Sequence, residues 1–167
     1  MILKVGDPFT DEGAVAILNE QEIEYTTEGT VDTNTPGVYV IDYGAVNPEG
    51  YAVSDFRTVV VIDEASVAAN DFSGTYARYV AGAPNNQTST WTKTGTGVYS
   101  IQNPGGATGL TVVGVNYAGK TVVVPQQQTN VGIFSSTEAE YNTATSTYVW
   151  AIVNGGYGPA PRTFIKQ

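Results

Sequence analysis

Between Asn34 and Asp63 the chain reads NTPGVYVIDYGAVNPEGYAVSDFRTVVVID, two extended runs divided by a turn. Pro36 and Gly37 punctuate the start. Val38–Ala45 then alternates so that Tyr39, Ile41 and Tyr43 share one face, which is the two-residue period of a pleated strand and not the period of a helix. Asn47–Gly50, NPEG, supplies the hairpin loop. Ala52–Ile62 follows as a long strand with Val53, Phe56, Val59 and Val61 as apolar points. The apolar phase slips between Val53 and Phe56, which predicts a β-bulge there. A chain built on such a hairpin must bury one face of a sheet and protect its edges, so the choice narrows to sandwiches and barrels.

The same grammar runs through the flanking sequence. Ile2–Val5 reads as a short strand before the turn GDPF. In Glu12–Glu24, EGAVAILNEQEIE, the Ala, Leu and Glu content suits a helix. The alternation of Ile23 and Tyr25 with Glu22, Glu24 and Thr26 instead favours two strands bridged by the polar NEQE. The first ~60 residues thus give five or six short strands with turns every ~8–12 residues, the pattern of a β-sandwich. Further on, strands are predicted at Gly74–Val80, Thr88–Thr94, Val98–Gln102, Leu110–Asn116, Lys120–Pro125, Thr147–Val153 and Arg162–Lys166. The turn clusters NPGGATG, NYAGK and NGGYGPAP separate several of them. Seven or eight strands with short connections form an antiparallel meander that closes into a small barrel or a second sandwich. The one predicted helical turn is at Thr137–Asn142. GVY occurs at Gly37–Tyr39 and again at Gly97–Tyr99, a turn-then-strand device too short to indicate a duplicated module.

Charge divides the chain where the texture does. Residues 1–63 carry 12 Asp/Glu against 2 Lys/Arg, and residues 64–167 carry 4 against 5. That step from −10 to +1 predicts a boundary near Asp63–Asn70, with one module at 1–63 and a second at 70–167. The overall −9 disfavours nucleic acid, whose phosphates would be repelled. There is no Cys and no His. Zinc and iron–sulfur sites therefore lack their usual ligands, and Cys–His or Ser–His–Asp catalysis is excluded. No cofactor or metal is expected, and the chain is read as a non-enzyme. No window approaches the roughly 18 apolar residues of a spanning helix. Met1 leads directly into ILKV with no signal peptide, which fits a cytosolic chain or a mature or trimmed one.

The first half resembles a known family. VGDPFTDEGAVA and GTVDTNTPGVYVIDYGAVNPEGYAVSDFRTVVVID are similar to the immunoglobulin-like modules of bacterial extracellular and surface proteins. Gly6, Phe9, Thr10, Asp11, Gly13, Gly29, Val31, Asp32, Thr33, Pro36, Gly37, Tyr39, Tyr43 and Asp63 carry the likeness. NPEG departs from the family's usual D-x-A-G-N, so no metal or contact role is transferred to that loop. The second half, through DFSGTYARY, WTKTGTGVYSIQNPGG and NGGYGPAPRTFIK, resembles the C-terminal module of Bacteroidetes-type outer-membrane surface lipoproteins. The resemblance implies an all-β protein: a short immunoglobulin-like β-sandwich followed by an antiparallel, lipocalin-like β-barrel or sandwich. It also implies export to the cell surface or outer membrane, attachment through a lipid anchor absent from this chain, and a setting of glycan capture.

Candidate chemistry is sparse. The Glu20, Glu22 and Glu24 row and Asp11–Glu12 are the densest carboxylates, without the loop spacing of a calcium site. Glu64, Asp71, Glu138 and Glu140 are too few to offer the carboxylate pair of a glycosidase much choice. Aromatic faces stack on sugar rings, and Trp91, Tyr99, Tyr117 and Tyr157 are the candidate ligand-binding residues. Tyr157, in a Gly-rich loop, is the one expected to be most exposed. Asn85, Asn86, Gln87, Gln102, Asn103, Gln126, Gln127, Gln128 and Asn154 could hydrogen-bond hydroxyls. Tyr148, Trp150 and Ile152 share a strand face and are expected in the core. The leading expectation is a non-catalytic binder of polysaccharide or oligosaccharide. The alternatives are a spacer or assembly module for another surface protein, and a barrel carrying a small apolar ligand, which requires an internal cavity.

Overall fold

The computed structural model describes residues 1–106 and 108–167. Ala107, within the turn cluster expected at 103–109, lies outside the described residues. The chain forms two compact units, Met1–Val61 and Ile62–Gln167.

The N-terminal unit contains β1 (Ile2–Lys4), β2 (Ala16–Leu18), β3 (Gln21–Ile23), β4 (Thr26–Glu28), β5 (Gly37–Val46) and β6 (Ala52–Ile62). The main sheet has the order β1-β6-β5-β4, and β2 and β3 form a separate hairpin. Asn19 and Glu20 turn that hairpin with φ of 50° and 66°, the left-handed pair of a two-residue loop. The strand reading of EGAVAILNEQEIE therefore holds. The bulge expected between Val53 and Phe56 is absent: β5 and β6 pair without a break from Gly37↔Val61 to Val46↔Ala52. The apparent slip has another cause: Val53 is exposed and is not a core point, so it sets no phase for Phe56. Farther on, Val59, Val60, Val61 and Ile62 are all buried, so that end of the strand is apolar on both faces.

The residues that carry the family likeness act as clips. Asp11 accepts the Tyr43 hydroxyl at 2.6 Å and lies 3.1 Å from Nη1 of Arg57, whose Nη2 donates to the Gly13 carbonyl. Asp32 accepts from the Asn34 amide and the Thr35 hydroxyl. Gly29 has φ +102°, and a β-carbon there would meet the Val40 carbonyl oxygen at 2.3 Å. These motif residues thus serve the fold, through hydrogen bonds, an ion pair and a close backbone approach.

The C-terminal unit opens with α1 (Glu64–Val67), a single turn whose N-cap, Asp63, accepts from the Ser66 amide. The strands that follow are β7 (Gly74–Val80), β8 (Ala83–Gly95), β9 (Val98–Gln102), β10 (Thr111–Ala118), β11 (Thr121–Val123), β12 (Gln127–Thr129), β13 (Gly132–Ser136), β14 (Ala139–Glu140), β15 (Thr147–Trp150), β16 (Ile152–Val153) and β17 (Arg162–Lys166). Eight of them form one antiparallel sheet in the order β14-β11-β10-β9-β8-β7-β17-β15. Its end strands, β14 and β15, lie against each other, so the sheet nearly closes into a barrel. A side sheet, β12-β13-β16, flanks it. The protein is therefore all-β, with an N-terminal immunoglobulin-like unit and a C-terminal eight-stranded barrel.

Three local expectations change. Thr137–Asn142 is not helical: Ala139 and Glu140 pair with Val122 and Thr121, and the helical turn sits at α1. Thr147–Val153 divides at Ala151, where β15 stays in the barrel and β16 joins β13 through Ser136↔Ile152. Strands β12 and β13 were not anticipated, because their Gln, Thr, Ser and Gly residues carry little apolar alternation. The two GVY copies also differ. Gly97 has φ +69°, and a β-carbon there would meet the Asn116 carbonyl oxygen at 2.4 Å. Gly37 is an ordinary first strand residue.

Candidate functional site

An eight-stranded barrel is just wide enough for side chains to fill, and here aromatic rings fill it. Trp91, Tyr76, Tyr99, Tyr148, Trp150 and Phe164 are all at most 2% exposed. Trp91 stacks on Trp150 at 5.5 Å and packs against Tyr148 at 5.0 Å. Its indole N–H donates to the Tyr148 hydroxyl at 3.0 Å. The Trp150 indole donates to the Pro104 carbonyl, and the Tyr76 hydroxyl to the Phe72 carbonyl. Every polar edge in this cluster has a partner, as buried polar groups require. Among the described residues, these buried rings occupy interior space that a carrier of an apolar ligand would need open.

It also corrects the placement of the candidate aromatics. Trp91 and Tyr99 are core residues with no face open to a ligand. Tyr117 is buried too, with its hydroxyl donating to Glu138 Oε1 at 2.5 Å. Tyr148, Trp150 and Ile152 lie in the core as their shared face implies. Of the four candidates only Tyr157 reaches a surface groove.

That groove has a volume of about 540 Å³ and is lined by Ile133, Thr137, Ile152, Val153, Tyr157 and Pro159, among others. Ile133 and Val153 are about half exposed, an apolar floor on the side sheet. The Tyr157 ring is fixed from two sides. Phe134 meets its edge at 5.8 Å, and the Arg162 guanidinium lies 6.0 Å from its centroid. A bridge between Asn154 and Tyr157 closes the turn that presents it. Burial and the neighbouring Arg78 pull the Arg162 guanidinium below its ordinary value.

Most of the amides expected to meet hydroxyls are engaged elsewhere. Asn154 donates to the Val131 and Ile133 carbonyls. Gln127 brackets Val113 by accepting from its amide and donating to its carbonyl. Gln87 accepts from Arg78 and Asn85. Such amides build loops and register, and composition alone does not separate that role from ligand contact.

A second, polar pocket of about 280 Å³ lies among Asn70, Asp71, Lys120, Tyr141, Thr143, Ser146 and Lys166. Sequence reasoning missed it, since its lysines are far apart in the chain. Among the described residues, no group of three or more Asp, Glu, His or Cys could hold a metal ion.

The fold and these surfaces define a class: an immunoglobulin-like unit joined to a solid-cored β-barrel with open surface grooves. Residues 1–61 match the family described as "Bacterial surface protein, Ig-like domain". Over both units the chain is similar to the crystal structure of a lipoprotein from Bacteroides thetaiotaomicron, at 22% identity and a TM-score of 0.45, covering 99% of this chain and 94% of that one. No curated protein matches the chain.

Proposed function

We propose that the chain is a non-catalytic protein of the bacterial cell surface that binds glycan through the Tyr157 groove. The observation that carries this reading is the half-buried Tyr157 ring, which lines the groove and is immobilised by Phe134 and Arg162 beside an apolar floor. An aromatic ring held rigid loses little entropy when a sugar face stacks on it. The groove volume falls within the usual range for small-ligand sites. The match of the first 61 residues to a surface-protein module supports the location. An array of plant, host and microbial polysaccharides tests the reading with the intact chain. Binding is expected and should weaken about tenfold in Tyr157→Ala, the scale of one aromatic contact. Silence across the array, or equal binding by the variant, overturns it.

A second reading, assembly with a protein partner, rests on the outer edge of β6. Thr58 O accepts from the Met1 amine and the Val60 amide donates to Met1 O. That pattern makes β1 parallel to β6 and carries it away from Ala52. Even-numbered residues therefore turn their amides outward, and the Phe56 amide folds onto its neighbour Asp55. No strand covers the edge at Ala52 and Ser54 among the described residues. Exposed Val46, Tyr51 and Val53 lie at the same end of the hairpin. An extended segment of a partner would pair there. Ser54→Pro removes an outward amide and leaves the pairing with β5 intact. It is expected to abolish capture of a co-expressed partner without changing Tm, and undiminished capture would refute this reading.

A further inference from the structure

Three of the five basic residues in the C-terminal unit converge on the end of the barrel where Asn70–Phe72 enters it. Lys93 Nζ donates to the Asn70 carbonyl and Lys120 Nζ to Asn70 Oδ1, each at 2.5 Å. Asn70 is itself buried and tied to Asn116 and to the Gly119 carbonyl. Holding this hub accounts for Lys93. It uses one of the three donors of Lys120, whose ammonium also lies 5.7 Å from the Phe72 ring centroid. Lys166, at the end of β17, is exposed and lines the same pocket as Lys120.

The acids present do not balance this charge. Asp71 is the one carboxylate lining the pocket among the described residues. It is drawn below its ordinary range first by Ser73, through hydroxyl and amide, and then by Lys93 and Lys166. Glu140 turns toward Thr121 instead. With Lys93 held by the Asn70 carbonyl, the pocket lining sets Lys120 and Lys166 against Asp71, an excess of one positive charge in a chain whose net charge is −9. Thr143 and Ser146 place hydroxyl-bearing side chains on the other walls, while the Tyr141 hydroxyl turns into the core toward Tyr76. Ammonium and hydroxyl donors around a space of about 280 Å³ suit one small oxyanion with polyol character.

We infer that the pocket between Lys120 and Lys166 binds a small oxyanion, the carboxylate or phosphate of an acidic sugar. The site is separate from the Tyr157 groove. Arg162, beside Tyr157, and Lys166 stand at opposite ends of β17, about 13 Å apart at strand rise. The two readings can therefore fail independently.

Calorimetric titration of the intact protein at low salt, with glucuronate, glucose 6-phosphate and glucose, tests the inference. The two anions are expected to bind saturably and glucose not at all, and the tighter anion identifies the source. Raising the salt should weaken binding. Lys166→Gln should lose about tenfold in affinity, the scale of a charge-assisted hydrogen bond, and Lys166→Arg should retain most of it. Lys166 is exposed and outside the Asn70 hub, so the variant should keep the wild-type Tm. Tyr157→Ala should bind the anions as wild type does. Absence of anion binding, equal binding of glucose, or unchanged affinity in Lys166→Gln overturns the inference.

Discussion

Replacing Trp91 by alanine is expected to unfold the barrel unit at temperatures where the wild type is intact. Trp91 is 2% exposed and packs against Tyr76, Tyr99, Tyr148 and Trp150 at centroid distances of 5.0–5.9 Å. Truncation removes those contacts and leaves a cavity among rings that cannot close it. It also takes from the Tyr148 hydroxyl the indole N–H that it accepts. Removing a buried tryptophan side chain costs about 3–5 kcal/mol. A domain of this size has only about 5–15 kcal/mol in total. The melting temperature should fall by roughly 15–25 °C. Trp91→Phe keeps much of the volume and should cost less than half as much. Urea or thermal unfolding followed by far-ultraviolet circular dichroism checks both. A Trp91→Ala protein as stable as wild type would mean that the ring is not the centre of the core.

Alkaline pH should produce the second large effect. Tyr76, Tyr99 and Tyr148 have raised pKa values, in each case first because burial disfavours the phenolate. Hydrogen bonding and the nearby Tyr141 push Tyr76 further in the same direction. The sign follows from linkage. A group whose folded pKa lies above its unfolded value contributes stability that is complete below the unfolded value, about 10 for tyrosine. That stability is lost as pH climbs toward the folded value. Each ring still neutral in the folded state then costs roughly 1.4 kcal/mol per pH unit. Three such rings in one barrel exhaust a marginal stability within one or two pH units. In the N-terminal unit Tyr43 is pushed up to about 12, by burial and by the bond to Asp11. The expected result is cooperative unfolding above about pH 11, with tyrosinate absorbance rising together with a red shift in tryptophan emission. Both tryptophans, Trp91 and Trp150, lie in the barrel core, so the emission reports on that unit alone. Full tyrosine ionisation by pH 10.5 with emission unchanged would contradict the burial argument.

The backbone plan was legible in the sequence because strands announce themselves by period and turns by residue type. Gly74–Val80, Val98–Gln102, Ala52–Ile62 and Arg162–Lys166 fall at their expected bounds. The elements that were missed lack those signals. β12 and β13 are amide- and hydroxyl-rich, and β14 is two residues long. The false bulge in β6 came from counting Val53 as a core point, when its side chain is exposed.

The candidate site was far less legible. Trp91 sits between two threonines in a strand, and nothing in that spelling says whether its face is the inside of a closed barrel or the outside. The lysine pocket gives no local signal at all, since Lys93, Lys120 and Lys166 meet only because the strand ends that carry them surround one mouth of the barrel. Sequence alone determined the all-β character, the turns and the excess of acids in the first 63 residues, because these follow from local sterics and charge. Only the tertiary structure decided which rings are core, which groove is open and where the positive charge gathers. Closing the sheet assigns one face of every strand to the interior at once, and that assignment depends on partners distant in the chain.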